Sequence, residues 1–328
     1  DKLTKRQMIY EALGRIGACE PQDVIHWLES EGFEEHPLQL DDGGASSHAL
    51  QDRAFAWVYD ELTAEDGRNS LEGLGLICVE PRKLQGFLAS EAVRGYIEEA
   101  IASLDFPWLD YDTYALFVRV CLESLRELGA LEWRPGALDY KETKAREMFF
   151  CGTNEGEASQ NVRSFVGSTI GAENNRSKFI RKYCWKVLGV AVTREQSTAV
   201  LKNLFDAMIE ILEALGSGRR RYCEKHPANG GYRLNADLWE MRLATEDDPL
   251  FVCSKCGNVS SFDTGGVCAA ANCDGLMTEL DKGVRDVYGD YYRTIYTERA
   301  LPVSVEEHTA QLSSEDARET QQRFIEGK

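Results

Sequence analysis

The stretch that organises this 328-residue sequence is Cys253-Ser254-Lys255-Cys256-Gly257, followed by Val267-Cys268 and by Asn272-Cys273-Asp274-Gly275. It holds two cysteine pairs, C-x2-C and C-x4-C, separated by eleven residues. A tight turn places both thiolates of a pair on one side of a loop, and two pairs complete a tetrahedral four-sulfur shell that suits Zn(II). The alternative is four unrelated buried thiols. The spacing favours a zinc centre, whose ligands would be Cys253, Cys256, Cys268 and Cys273.

The predicted centre is a compact variant of a zinc ribbon, because the loop between the pairs is short and the second pair is wide. Gly257 and Gly275 follow the second cysteines of their pairs, where such turns tend to need a positive φ. Structural zinc sites are closed to further ligands. We therefore expect the metal to fold the local chain and to carry out no chemistry.

The composition is that of an ordinary globular protein, with 43% hydrophobic and 28% charged residues. The sequence has no run of eighteen apolar residues and no apolar signal region at its start, so we expect neither a membrane span nor a secretory signal. It begins at Asp1 without an initiator methionine, which suggests an excised piece of a longer protein. The six remaining cysteines are scattered and are predicted to be buried reduced thiols of a cytoplasmic protein: Cys19, Cys78, Cys121, Cys151, Cys184 and Cys223.

The formal net charge of −18 argues against adhesion of the whole surface to nucleic acid, although a local basic groove remains compatible with it. The most basic parts of the chain lie at 176–186 and 219–225. One hypothesis is phosphate contact with DNA, and the alternative is a solvated helix face and a surface turn. The candidate nucleic-acid-binding residues of these parts are Arg176, Lys178, Arg181, Lys182, Arg219, Arg220 and Arg221.

Two stretches share the pattern of a helix followed by a hairpin. The first combines a helix over 112–129, with Asp112 as its N-cap, with a hairpin over 130–140. The second combines a helix over 193–216, which begins with the capping pattern Thr193-x-x-Gln196, with a hairpin over 221–234. Helix followed by a two-stranded hairpin is the back half of a winged helix. Residues 4–32 form two short helical patterns that suggest a helix-turn-helix-like unit.

The end of the sequence carries a resemblance to a known family. The segment Val303-Ser304-Val305-Glu306-Glu307-His308-Thr309-Ala310-Gln311-Leu312 precedes a helical pattern that ends in Phe324-x-x-Gly327. This order of strand, His-Thr-x-x-Leu loop and helix resembles the start of the second RecA-like domain of superfamily 2 DEAD/DEAH-box helicases. It is most similar to the large bacterial members with zinc-binding and winged-helix parts, several of which act in anti-phage defence. The resemblance implies that His308, Thr309 and Gln311 lie near a nucleic-acid backbone.

The motor motifs of such helicases are missing from this sequence. It contains no G-x-x-x-x-G-K-[ST] phosphate loop, and Gly327-Lys328 is only the chain end. The resemblance therefore implies an internal piece of a larger helicase, in which ATP and Mg²⁺ are bound only by the parent protein.

The expected fold class is mainly α with small β hairpins, comprising winged-helix-like units, a four-cysteine zinc ribbon and the start of a RecA-like α/β domain. The expected regions are a helical region over 1–110, winged-helix-like units over 111–245, the ribbon over 246–281 and an incomplete RecA-like domain over 282–328.

No catalytic constellation is recognisable, because none of the five histidines has the spacing of a metal-hydrolase site. The favoured function is an accessory region that guides DNA, single-stranded or duplex, for an ATP-dependent DNA helicase, with possible protein partners in a defence complex. The first alternative is a zinc-ribbon module that docks partner subunits without contacting nucleic acid. A stand-alone DNA-binding regulator is the second.

Overall fold

The computed structural model describes most of the chain between residues 2 and 297. The described residues are 2–35, 47–64, 67–82, 84–133, 148–153, 161–167, 173–217, 220–227, 229–270, 272–281, 284 and 290–297. The second strand of the first expected hairpin, Arg219, and the helicase-like segment with His308, Thr309 and Gln311 lie outside them.

Helices account for about half of the described residues. They are α1 (Lys2–Ile16), α2 (Pro21–Trp27), α3 (Phe33–Glu35), α4 (Ser47–Leu62), α5 (Leu84–Ala89), α6 (Glu91–Ala102), α7 (Tyr111–Glu127), α8 (Asn175–Tyr183), α9 (Arg194–Ala214) and α10 (Asp290–Thr297). A π-helical turn, Cys184–Leu188, continues α8 and ends at Gly189, whose φ is +68°.

Local capping explains where the two longest helices begin. Asp110 accepts a hydrogen bond from the Thr113 amide at 2.8 Å, so the N-cap of α7 is Asp110 and not the expected Asp112, and the helix begins at Tyr111. Thr193 and Gln196 form the capping box expected for α9.

The strands are short and belong to four small sheets within the described part of the chain. They are β1 (Ile77–Pro81), β2 (Leu131–Glu132), β3 (Phe149–Thr153), β4 (Val162–Gly167), β5 (Gly216–Ser217), β6 (Arg220–Arg221), β7 (Cys223–Lys225), β8 (Tyr232–Asn235), β9 (Trp239–Leu243), β10 (Phe251–Cys253), β11 (Val259–Ser260) and β12 (Met277–Glu279). The fold class is therefore mixed α/β, with more sheet than expected.

Strand β8 is the centre of the largest sheet. It pairs antiparallel with β7, which confirms the second expected hairpin, and it pairs in parallel with β2. It also meets β3, which runs parallel to β4. Strands β1 and β9 form a separate antiparallel pair, and β5 and β6 form a short hairpin.

One continuous apolar core connects the helices with these sheets, from Met8 in α1 to Tyr296 in α10. The described residues all belong to a unit that spans 1–297. The expected boundaries at 110 and 245, and the winged-helix identity of the units between them, stay predictions. No helix in the described ranges is both long and apolar enough to cross a bilayer.

Candidate metal centre and its seat on helix α8

The four cysteines of the two pairs lie together. Their sulfur atoms are all within 4.8 Å of one another, and two pairs of sulfurs, Cys253 with Cys273 and Cys256 with Cys268, are 3.6 Å apart. A tetrahedral zinc–thiolate centre with bonds of about 2.3 Å has sulfur–sulfur edges of about 3.8 Å, whereas a disulfide would bring two sulfurs to about 2 Å. The cluster therefore has the size of a four-sulfur metal shell, as the spacing predicted.

The first knuckle, residues 253–257, is built at the end of β10. Strand β10 lies between β11 and β12 in an antiparallel sheet, so Cys253 stands at the exit of the middle strand. The Cys253 carbonyl accepts the Gly257 amide at 2.9 Å, and the Cys253 sulfur accepts the Lys255 amide at 3.5 Å. Gly257 has a φ of +64°, which confirms the expected need for a glycine at this turn.

The second knuckle, residues 268–275, precedes β12. The Cys273 sulfur accepts the Gly275 amide at 3.3 Å, which turns that sulfur toward the first knuckle. Gly275 is not in the left-handed region, so the expectation of a positive φ there is wrong. It is required for space, because a Cβ at this position would lie 2.4 Å from the Cys253 sulfur.

The cluster is largely withdrawn from water, which affects its thiols unequally. Burial raises the pKa of Cys268 and of Cys256. Burial also acts to raise the pKa of Cys253, but hydrogen bonds from the backbone amides of Cys256 and Lys255, together with those to the thiols of Cys256 and Cys273, outweigh it and bring that pKa down to about 6. Four thiolates this close repel one another, so a cation between them is the natural way to keep all four deprotonated.

Helix α8 holds the second knuckle through its lysines. The Lys182 Nζ donates to three backbone carbonyls, those of Cys268 at 2.6 Å, Ala270 at 2.8 Å and Cys273 at 2.8 Å. One turn to either side, the Lys178 Nζ reaches the Asn272 Oδ1 at 3.3 Å and the Lys186 Nζ donates to the Asp274 carbonyl. The helical spacing of the three lysines thus places them along one loop.

The ribbon also packs closely against helices α7 and α8. Gly265, at a φ of +68°, lies so close to Tyr183 that a Cβ would meet its ring at 2.3 Å. The Arg119 guanidinium lies 4.6 Å from the centre of the Phe262 ring. A cavity of about 280 Å³ remains between α7, α8 and the ribbon. Sequence reasoning missed Gly265 and Phe262, because nothing local marks a residue that contacts a helix far away in the chain.

The arginines of α8 that were predicted to contact phosphate also have partners inside the chain. Arg176 donates to the Ser124 hydroxyl at 2.6 Å and lies over the Phe165 ring. Arg181 pairs with Glu173 and donates to the Val192 carbonyl at 3.1 Å.

Two of the remaining candidates lie in β6. Arg221 is exposed there, and Arg220 is described only by its backbone. Whether any of these residues contacts nucleic acid is untested and stays a prediction.

A second group of possible ligands, Cys78, Glu80 and Asp248, also lies within 4.8 Å. Arg242 pairs with both carboxylates, with Glu80 at 3.1 Å and with Asp248 at 2.6 Å. A guanidinium therefore already supplies the positive charge at this place.

The chain matches no protein-family model, no curated protein and no solved structure.

Proposed function

We propose that Cys253, Cys256, Cys268 and Cys273 bind one structural Zn(II) ion. The support is the size of the sulfur cluster and its donor set, because four thiolates in a closed tetrahedron suit zinc. When bound, the ion supplies a crosslink between the two knuckles. The protein's own contribution is to aim the sulfurs through backbone amides and to seat the loop on α8.

We further propose that the chain is an accessory region of an ATP-dependent DEAD/DEAH-box DNA helicase, in which α9 with the β7–β8 hairpin is a winged-helix-like unit. The resemblance of 303–328 to the start of a second RecA-like domain supports this, together with the zinc ribbon that precedes it in the sequence. The parent protein would bind ATP and Mg²⁺ and supply the motor. A role in anti-phage defence is the setting that the resemblance suggests.

Charge segregation is the observation that carries the nucleic-acid contact. Residues 174–192 contain five lysines and arginines and no acidic residue, in a chain with a net charge of −18. The π-helical turn at the end of this segment leaves Trp185 65% exposed and Val187 47% exposed. An exposed indole beside cations is suited to stacking on a base whose phosphates lie over the basic surface.

The test is binding of the zinc-loaded chain to labelled single-stranded and duplex DNA across a salt series. A stacked base contributes about 1–3 kcal/mol, so Trp185→Ala is expected to weaken single-strand binding by about five- to 150-fold. Ile16→Ala is the control, since Ile16 is also exposed but lies outside the basic segment. Affinity should fall steeply with salt. Absence of binding at low salt would contradict the proposal.

A protein-docking role is the second candidate, and one observation favours it. Lys178, Lys182 and Lys186 already donate to the ribbon, which reduces the number of cations available to phosphate. Under this alternative, the folded and zinc-loaded chain binds no DNA in the same titration, and Trp185 contacts a partner subunit instead.

A further inference from the structure

The ammonium group of Lys182 has an unusual set of partners. An ammonium has three protons to donate, and here all three partners are backbone carbonyls of the second knuckle, at 2.6–2.8 Å. Two of those carbonyls belong to the ligands Cys268 and Cys273. The side chain is therefore fixed against the backbone of the loop that carries two of the four sulfurs.

These bonds use all three hydrogen-bond donors of the ammonium group. They do not neutralise its charge, because carbonyl groups are uncharged. The described contacts of Lys182 include no carboxylate, whereas Lys186 also lies near the Asp274 carboxylate and helps to lower its pKa. Four thiolates around one divalent cation leave an excess of two negative charges. Lys182 places a positive charge that no carboxylate contacts next to that excess, and Lys186 adds a second cation nearby.

We propose that Lys182 is a latch that couples metal loading of the ribbon to its seating on α8, with Lys186 assisting. The inference rests on the proposed zinc centre. With metal bound, the second knuckle keeps its three carbonyl groups directed at the Lys182 ammonium group. The charge of that ammonium group then offsets the charge of the thiolates. By linkage, whatever seats Lys182 strengthens metal binding, and metal binding strengthens the seat by the same factor.

The latch makes Lys182 a positioning residue and not a ligand. Partners in the shell around a metal's ligands typically contribute about ten- to a hundredfold to metal affinity. A residue that only filled space would leave that affinity unchanged. Because the latch engages Lys182 with the ribbon, this side chain is not available for the phosphate contact that its position in a basic helix suggests.

The experiment compares Lys182→Met with Lys178→Met. Both substitutions remove a charge from α8, but Lys178 touches only a side-chain amide, at 3.3 Å. Zinc affinity is measured by competition with a chromogenic chelator. Lys182→Met is expected to bind zinc about ten- to a hundredfold more weakly than the wild type, and Lys178→Met to remain within about twofold. Equal affinities of the two variants would overturn the proposal.

A second experiment uses the wild-type chain, so its result does not depend on whether a variant folds. Hydrogen exchange is followed in the wild-type chain while zinc is removed by chelation. The latch predicts faster exchange both in the ribbon and at the end of α8, around residues 182–188. Faster exchange in the ribbon alone would contradict the coupling. If the wild type binds no zinc, the metal centre itself fails, and that outcome is distinct from zinc binding that is indifferent to Lys182.

Discussion

The ribbon and the scaffold on which it sits, residues 2–245, are held together by different means. In the ribbon the buried apolar cluster consists of Cys253, Cys268, Cys273 and Met277, so three of its four members are proposed metal ligands. In the scaffold the buried cluster is continuous and includes large side chains such as Phe117 and Trp239. Burial of apolar surface can stabilise the scaffold, whereas the ribbon has little of it beyond Val267, which joins the scaffold cluster, so we expect the ribbon to depend on the proposed zinc.

The two regions also differ in how they treat buried charge. The scaffold buries complete ion pairs, such as Arg6 with Glu61 at 2.7 Å, where both side chains are at most 3% exposed. It also buries Arg126 between Glu72 and Glu123. The ribbon is instead contacted by lysines of α8, whose ammonium groups donate to backbone carbonyls of the ribbon. The contrast predicts that charge changes in the scaffold alter global stability, whereas those at the seat alter metal binding.

The largest expected effect is loss of the metal centre. Cys268→Ser is expected to remove hydrogen-exchange protection from the ribbon, because structural zinc contributes an apparent free energy of about 10–16 kcal/mol in small zinc domains. Protection in α7 should persist, since its core contains no ligand. Simultaneous loss of protection in the ribbon and in α7 would contradict the claim that the two regions are stabilised by different means. Cys151→Ser is the control, because Cys151 lies outside the cluster.

The next effect belongs to the scaffold. Glu61→Ala leaves Arg6 buried without its carboxylate and is expected to lower the free energy of unfolding by about 3–5 kcal/mol. Urea denaturation of the zinc-loaded chain measures it. The matched control is Glu98→Ala, which breaks an exposed pair with Arg94 and should cost less than about 1 kcal/mol. Similar losses in the two variants would show that the buried pair is not a stabilising feature of the core.

A smaller effect is expected at the contact between the two knuckles. Gly275→Ala places a methyl group against the Cys253 sulfur and should weaken zinc binding by about five- to 150-fold, as overpacking costs about 1–3 kcal/mol. Gly86→Ala serves as the control, because nothing lies within 4 Å of a Cβ there. Unchanged zinc affinity in Gly275→Ala would mean that Gly275 does not lie this close to the Cys253 sulfur.

The smallest effect concerns the junction between scaffold and ribbon. Asp248 accepts hydrogen bonds from both terminal nitrogens of Arg242, at 2.7 and 2.6 Å, and these bonds lower its pKa. A carboxylate whose folded pKa is depressed contributes stability above its unfolded pKa of about 3.9 and loses it as the pH falls below that value. Asp248→Asn is therefore expected to cost about 1–2 kcal/mol at pH 7.

The cost of Asp248→Asn should shrink below about pH 4, because the carboxyl of the unfolded wild-type chain takes up a proton there while the folded carboxylate, with its lowered pKa, stays ionised. Denaturation of both proteins at pH 7 and at pH 3 measures the difference. A gap that stays constant with pH would contradict the ion-pair explanation.

Features that depend on neighbouring residues could be predicted from the sequence. The cysteine spacing predicted the four-sulfur cluster, and the Thr193 capping box predicted the start of α9. The turn signals between β7 and β8 predicted that hairpin. In each case the partners are close in sequence, so propensity and spacing are sufficient.

Features that depend on distant contacts could not be predicted. Lys182 meets carbonyls that are 86–91 residues away, and a basic helix face has the same pattern whether it meets phosphate or backbone. Gly275 is required by the approach of Cys253 from another strand, which no local rule for positive φ reveals. The parallel pairing of β2 with β8 likewise joins residues about a hundred positions apart.

The most direct test of the metal centre is the zinc content and coordination of the purified chain. Elemental analysis with X-ray absorption at the zinc edge should give one zinc per chain, bound by four sulfurs at about 2.3 Å. Cys268→Ser should lower that content sharply. A metal-free wild-type chain whose ribbon is nonetheless protected from hydrogen exchange would contradict the proposal that zinc holds this region together.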